Sequence, residues 1–127
     1  MSLSMRNSLA KHIDFGFLKG SFRNLNELPI NIDMLMEKNG YFVIAEWKKP
    51  GEHISRGQCI ALERLAQMPR VTVLIITGNS DENECYINDI EQVTAKGKIV
   101  LVGNGLDFFC ERMKGWYERA SNGRLKY

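Results

Sequence analysis

Two apolar-rich stretches, residues 30–37 and 41–48, lie on either side of Asn39 and Gly40. Both central residues of a type I′ turn need a positive φ, which Asn and Gly adopt more readily than other residues. Such a pair between apolar runs is the strongest short-range signal for a β-hairpin. The pattern therefore predicts two antiparallel strands joined by this turn.

The apolar pattern after the hairpin predicts a helix followed by three strands. Residues 54–68 carry apolar side chains at helical spacing, and Pro69 closes the helix. Residues 71–77 form a continuous apolar run, which is typical of a fully buried strand. Two further strands are predicted at residues 85–91 and 98–102.

Helices are predicted towards both ends of the chain. Residues 4–13 are expected to form a short helix, and a short strand is expected around Phe15, Phe17 and Phe22. Near the other end, apolar residues at helical spacing predict an amphipathic helix with Asn104 as its N-cap. The apolar positions of that helix are Leu106, Phe109, Cys110, Met113, Trp116 and Tyr117. Together these elements predict a mixed α/β sandwich.

The composition is that of an ordinary globular protein, with 127 residues of which 44% are hydrophobic and 25% charged. This length predicts one domain over residues 1–127, whose core needs no disulfide or structural metal. Cys59, Cys85 and Cys110 form no CxxC pair, so free thiols in a reducing cytoplasm are expected. No apolar stretch is long enough to span a bilayer and no signal peptide opens the chain, so no membrane partner is expected.

The charge of the chain is close to balanced, with a net charge of +2, so overall basicity does not mark a nucleic-acid binder. Residues 111–127 nevertheless contain five Lys or Arg side chains against two Glu, with Trp116 and Tyr117 among them. Basic residues interleaved with aromatic ones can follow a phosphate backbone. A solvated helix end and tail is the simpler interpretation.

The hairpin register brings three ionisable residues together. If Asn39 and Gly40 form the turn, counting outward sets Asp33 opposite Glu46. Directly opposed residues share a face of the sheet, with Cβ atoms about 4.5–5.5 Å apart. Lys48 follows Glu46 by two residues and shares that face. Two carboxylates and one ammonium group are therefore expected at the open end of the hairpin.

This arrangement is costly as structure alone, because opposed like charges destabilise a sheet, and more so when half buried. A divalent cation would remove the conflict, and Mg²⁺ prefers a few carboxylate oxygens while it retains several waters. Metal-assisted phosphodiester cleavage needs such a site. Lys48 would orient or help deprotonate the attacking water, or stabilise the pentavalent phosphate. The alternative is that Lys48 offsets one carboxylate in an ordinary surface cluster.

Gln58 is expected on the sheet-facing side of its helix, because it shares the face of Leu62 and Leu65. A glutamine in that position must find a hydrogen-bond partner. The partner is expected to be Lys48 or a substrate phosphate. An ordinary core glutamine satisfied by its neighbours is the alternative.

Other polar residues give weaker signals. Lys49, His53 and Arg56 flank the expected site and are candidates for binding DNA phosphates, although solvated surface residues are the default interpretation. The segment 99–110 contains Gly103-Asn104-Gly105 between a strand and a helix, which would suit a nucleotide-binding loop. Because the third glycine of that motif is missing, a plain strand–helix turn is favoured.

The segment Pro29-Ile30-Asn31-Ile32-Asp33, the tripeptide Glu46-Trp47-Lys48 and the helix with Gln58 resemble the PD-(D/E)XK nuclease superfamily. The resemblance covers about residues 29–77, and its spacing is similar to the small branch close to the VRR-NUC nucleases and short phage proteins. It implies a restriction-endonuclease-like α/β fold, with a mixed sheet and flanking helices. An αβββαβ core would be followed by C-terminal strands and a helix over residues 85–121.

The resemblance also implies a Mg²⁺- or Mn²⁺-dependent nuclease that acts on DNA. Asp33, Glu46 and the main-chain carbonyl of Trp47 would bind the metal, while Lys48 is catalytic and Gln58 completes the catalytic site. A homodimer is a further expectation, because many small nucleases of this fold cut both strands as dimers. The alternative is a non-catalytic member of the same fold that binds nucleic acid or another protein.

Overall fold

The computed structural model describes residues 14–23, 28–80 and 85–123. The chain divides into two compact units, residues 1–31 and residues 32–127. All the residues expected to form the site belong to the second unit. The single domain expected over residues 1–127 stays a prediction.

The first unit contains a 3-10 helix, Phe15–Leu18. The Asp14 carboxylate accepts a hydrogen bond from the Gly16 N–H at 2.8 Å and so caps this turn. The strand expected around Phe15, Phe17 and Phe22 is therefore wrong, because a local side-chain bond favours a tight turn over an extended chain. The helix expected at residues 4–13 lies outside the described residues.

The second unit is a five-stranded sheet with two helices. Its strands are β1 (Met34–Lys38), β2 (Tyr41–Lys48), β3 (Val71–Ser80), β4 (Cys85–Val93) and β5 (Ile99–Asn104), and its helices are α1 (Arg56–Ala66) and α2 (Leu106–Ser121). The strands lie side by side in chain order. β2 and β3 are parallel and joined through α1, whereas the other neighbours are antiparallel. The mixed α/β fold with flanking helices is therefore confirmed at this level.

The hairpin β1–β2 has the predicted register. Asn39 and Gly40 have φ values of 52° and 83°, as a type I′ turn requires. The pairing runs from Lys38 opposite Tyr41 outward to Met34 opposite Ala45. Because the side-chain period of a strand is two, this register also decides which residues share each face.

One helix packs against each face of the sheet. On one side, α2 packs through Trp116 and Ala120 against the sheet residues Val43, Leu74 and Ile90. On the other side, α1 packs through Leu62 and Ala66 in a second core, where the sheet contributes Ile44, Val73, Ile75 and Val93. Glu46 shares the α1 face with Ile44, because the two are two residues apart in β2.

Element boundaries differ from the predicted ones by a few residues. The helix expected at residues 54–68 is shorter, and the strand expected at residues 71–77 continues to Ser80. The expectation that Asn104 caps α2 is wrong, because Asn104 still pairs with Asp89 as the last residue of β5.

Gly105 is the N-cap of α2 instead, with a φ of 91° that suits glycine.

No helix among the described residues is long and apolar enough to cross a membrane.

Candidate active site

Asp33 and Glu46 meet at the end of the hairpin where β1 begins. Met34 and Ala45 form the outermost pair of the β1–β2 ladder. Just beyond it, the side chains of Asp33 and Glu46 are hydrogen-bonded to each other. Glu46 is 9% exposed and is the buried charged residue of the described core, whereas Asp33 is exposed. The predicted juxtaposition of the two carboxyl groups is therefore confirmed.

The environment of Glu46 makes its ionisation unfavourable. Burial raises the pKa of the Glu46 carboxyl to about 8, and the hydrogen bond with Asp33 and the negative charge of Asp33 act in the same direction. A hydrogen bond from the Trp47 main chain partly opposes this rise in pKa. Near neutral pH the Glu46 carboxyl therefore keeps its proton. This proton removes the negative charge that a bound cation would otherwise balance.

Asp33 also bonds to the backbone of β2. Its Oδ2 atom accepts a hydrogen bond from the Trp47 N–H at 2.8 Å. Because the N–H and C=O of a strand residue point to the same neighbour, the Trp47 carbonyl also faces the β1 side. The Trp47 ring lies on the other face of the sheet, in edge-to-face contact with Phe109 at 6.5 Å between ring centroids.

Lys48 is the last residue of β2 and is half-buried. It pairs across the parallel ladder with Thr77 of β3. Since it follows Glu46 by two residues, its side chain leaves the sheet on the same α1 face. The ammonium group and the two carboxyl groups therefore belong to one end of one face.

Gln58 contacts the site, but through a different partner from those expected. Its Nε2 donates to Glu46 Oε2 at 3.0 Å instead of the side chain contacting Lys48, and the expected contact with a substrate phosphate stays a prediction. The expected position on the sheet-facing side of α1 is confirmed, because Gln58 is half-buried there above Leu62. The partner differs because the first turn of α1 lies over Glu46.

The start of α1 contains a second residue that sequence reasoning missed. Ser55 is the N-cap, and its Oγ accepts the Gln58 N–H at 3.2 Å. The same hydroxyl donates to Gln58 Oε1 at 3.4 Å. The spacing Ser-x-x-Gln is a capping-box pattern and could have identified this pair from the sequence.

The three expected phosphate-binding residues lie between the end of β2 and the first residue of α1. Lys49, His53 and Arg56 are all exposed there. Glu52, which was not singled out, accepts the Lys49 N–H at 2.8 Å. Its negative charge also contributes to the raised pKa of Glu46.

The site offers few protein ligands for a metal. Among the described residues, no three side chains of His, Cys, Asp or Glu are grouped so as to hold a metal ion. A cation would therefore depend on Asp33, Glu46, the Trp47 carbonyl and water. Mg²⁺ is commonly bound in this way, with one or two carboxylates and several retained waters.

Packing explains two further residues that the sequence singled out, Gly103 and Trp116. A Cβ at Gly103 would clash with the Phe108 ring, so close packing accounts for this glycine. In the basic stretch of α2, Trp116 is buried in the core and cannot stack on a base. The three cysteines are free.

Comparison with family models, with curated proteins and with solved structures finds no match for this chain.

Proposed function

We propose that this protein is a metal-dependent nuclease that hydrolyses phosphodiester bonds in nucleic acid, with DNA as the expected substrate. The observation that carries the proposal is the pairing of exposed Asp33 with buried Glu46, on the face that Lys48 shares. Burial and the neighbouring Asp33 make ionisation of Glu46 less favourable, which is a cost to stability as the pH rises. A function that needs both groups accounts for this cost.

Each residue has a role that follows from its chemistry. Asp33 and Glu46 would bind a cation through carboxylate oxygens. The Lys48 ammonium would stabilise negative charge that develops on the phosphate, or help to position the attacking water. Gln58 would fix the orientation of Glu46 through the bond between Nε2 and Oε2.

The atoms available as metal ligands fit Mg²⁺ or Mn²⁺, because all of them are oxygen atoms. The Trp47 carbonyl is a suitable third donor, since it faces the same side as the N–H that Asp33 accepts. When bound, a divalent cation would neutralise charge on the phosphate and lower the pKa of a water molecule.

The nucleic acid would approach over the loop between β2 and α1. Lys49 and His53 are exposed in this loop, and Arg56 is exposed as the first residue of α1. Their side chains could position a phosphate backbone without reading its sequence. The restriction-endonuclease-like core belongs to this proposal, in which β1, β2, α1 and β3 supply its hairpin, crossover helix and parallel strand. The homodimer stays a prediction.

The direct test is nicking of supercoiled plasmid in Mg²⁺, in Mn²⁺ and in chelator, together with a panel of linear, nicked and branched DNA and of RNA. Lys48→Ala and Glu46→Gln should reduce cleavage at least about 100-fold, because such groups act on the transition state. Lys96→Ala, in the exposed turn between β4 and β5, and Glu118→Gln, on α2, are matched controls. Circular dichroism would check that all four variants fold.

Cleavage that continues undiminished in purified Lys48→Ala would overturn the proposal. Metal-independent retardation of DNA in a gel, without cleavage under any condition, would favour the non-catalytic binding protein instead. Equal loss of cleavage in Lys48→Ala and Lys96→Ala would mean that charge alone is responsible.

A further inference from the structure

The first turn of α1 links three polar groups into one chain of hydrogen bonds. Ser55 Oγ donates to Gln58 Oε1, and Gln58 Nε2 donates to Glu46 Oε2. The Ser55 oxygen accepts the Gln58 N–H through a lone pair, so the hydroxyl hydrogen stays free to be donated. The chain therefore runs in one direction, from the helix N-cap to the buried carboxyl group.

The direction matters because the two ends of the Gln58 amide are different. Its oxygen can only accept hydrogen bonds, and its nitrogen can only donate them. If the amide turned over, Oε1 would face Glu46 and the nitrogen would face the Ser55 hydroxyl. An ionised carboxylate only accepts hydrogen bonds, so Glu46 favours the orientation in which the amide nitrogen faces it. The hydrogen bond from Ser55 Oγ to Oε1 holds the amide in that orientation.

We propose that Ser55 is a positioning residue that acts through Gln58 to orient the Glu46 carboxyl group. The proposal depends on the nuclease function inferred above, in which Glu46 binds the metal. An ordinary N-cap serine would only satisfy main-chain N–H groups at the start of the helix. Here the same hydroxyl also orients the side chain that bonds to Glu46.

The two roles of Ser55 can be separated by substitution. Ser55→Gly removes the hydroxyl, yet glycine is well tolerated at an N-cap, so the thermal stability should change little. Ser55→Thr keeps a hydroxyl that can cap the helix and donate to Gln58. Threonine is therefore the conservative variant that should restore the wild-type properties.

The first measurement needs no metal. In a ¹⁵N–¹H correlation spectrum in chelator, the side-chain amide signal of Gln58 is assigned by its disappearance in Gln58→Ala. In Ser55→Gly this signal should move towards the position of a solvent-exposed glutamine, and in Ser55→Thr it should stay at the wild-type position. An unmoved signal in Ser55→Gly would refute the proposal.

The second measurement is Mg²⁺ affinity by calorimetry. Residues that orient a metal ligand change affinity by about 10-fold or more when substituted, so Ser55→Gly and Gln58→Ala should each weaken binding by about 10-fold. If Ser55 acts through Gln58, the double variant should be no weaker than Gln58→Ala alone. Additive losses would mean that Ser55 acts by another route.

The two measurements distinguish the two proposals. If the wild-type protein binds no Mg²⁺ and cleaves nothing, the nuclease function fails, whereas the amide signal still reports whether Ser55 orients Gln58. If Mg²⁺ binds but Ser55→Gly binds it as tightly as wild type, the positioning role fails and the nuclease function stands.

Discussion

Glu46 is the residue at which burial and charge conflict most strongly. Its pKa is raised from 4.5 to about 8, first by burial and then by Asp33. Between these two pH values the folded protein keeps a proton that the unfolded chain loses. The free energy of unfolding in chelator should therefore fall as the pH rises from about 4.5 to about 8.

This pH dependence gives a prediction for Glu46→Gln, which keeps the shape of the side chain but cannot titrate. Wild type should lose stability across the window, by at most about 1.4 kcal/mol per pH unit. Glu46→Gln should lack this contribution, so the difference between the two proteins should change with pH. Denaturant unfolding at pH 5, 6.5 and 8 would measure it, with Glu118→Gln as the control. A constant difference between wild type and Glu46→Gln would contradict the raised pKa.

At the residue scale, the sequence predicted the contact between Asp33 and Glu46, because this contact follows from the number of residues between each of them and the turn. The turn at Asn39 and Gly40 sets the register, and the register sets Asp33 opposite Glu46. The partner of Gln58 could not be obtained in this way, since it depends on how far the first turn of α1 reaches over β2. The effect of Glu52 on Glu46 was missed for the same reason.

At the scale of elements, one turn residue connects the two ends of the second unit. Asn39 Nδ2 donates to the carbonyls of Ala120 and Ser121 at 3.2 Å each. These carbonyls belong to the last turn of α2, where helix C-termini lack main-chain partners. The hairpin turn thus also satisfies the end of a helix that is more than 80 residues away in sequence.

Two substitutions at Asn39 separate the turn from the helix contact. Asn39→Gly keeps the positive φ but loses the amide donor, so it should destabilise the protein by about 0.5–1 kcal/mol. Asn39→Asp also tolerates this φ, but places a carboxylate against helix carbonyls and the negative end of the helix dipole. At neutral pH it should be less stable than Asn39→Gly. Urea unfolding would test the order, and an aspartate variant as stable as wild type would contradict it.

Elements were predicted well where the apolar pattern is long and turn residues mark its ends. The apolar run in β3 and the amphipathic spacing of α2 each select one structure, because only that structure buries their apolar side chains. Phe15–Leu18 lacked such a constraint, and the Asp14 cap decided its conformation. At Asn104, strand pairing with Asp89 prevailed over the N-cap preference of asparagine.

At the scale of the whole molecule, the connection from β2 to α1 lies at the end of the sheet that carries the site. β2 ends at Lys48 beside β3, and the first turn of α1 contacts Glu46 through Gln58. The chain between these two contacts contains Lys49 and His53 in the loop and Arg56 at the start of α1. The sequence predicted a helix followed by a fully buried strand, but it did not predict that this strand pairs with β2 in parallel. It did not predict that β3, β4 and β5 would follow in chain order.

Metal binding and folding should be coupled through the Glu46 proton. A bound cation requires ionised carboxylates, so binding must release this proton below about pH 8. The apparent affinity for Mg²⁺ should therefore rise between pH 6 and pH 8. A ligand that binds only the folded state stabilises it by RT ln(1 + [L]/Kd), so a lower Kd at higher pH should also make the increase in Tm caused by Mg²⁺ grow with pH.

The measurement is a set of thermal melts in chelator and in millimolar Mg²⁺ at pH 6 and pH 8, for wild type and for Asp33→Asn. At saturating Mg²⁺, one coupled proton should make the stabilisation of wild type about 1–3 kcal/mol larger at pH 8 than at pH 6. Asp33→Asn keeps an oxygen that can accept the Trp47 N–H, but it removes one of the two metal-binding carboxylates, so Mg²⁺ should change its Tm little at either pH. In chelator at pH 8, Asp33→Asn should be more stable than wild type by about 0.5–2 kcal/mol, because the repulsion with Glu46 is gone. If wild type and Asp33→Asn respond equally to Mg²⁺, and the variant is destabilised in chelator, the two carboxyl groups do not form one metal site.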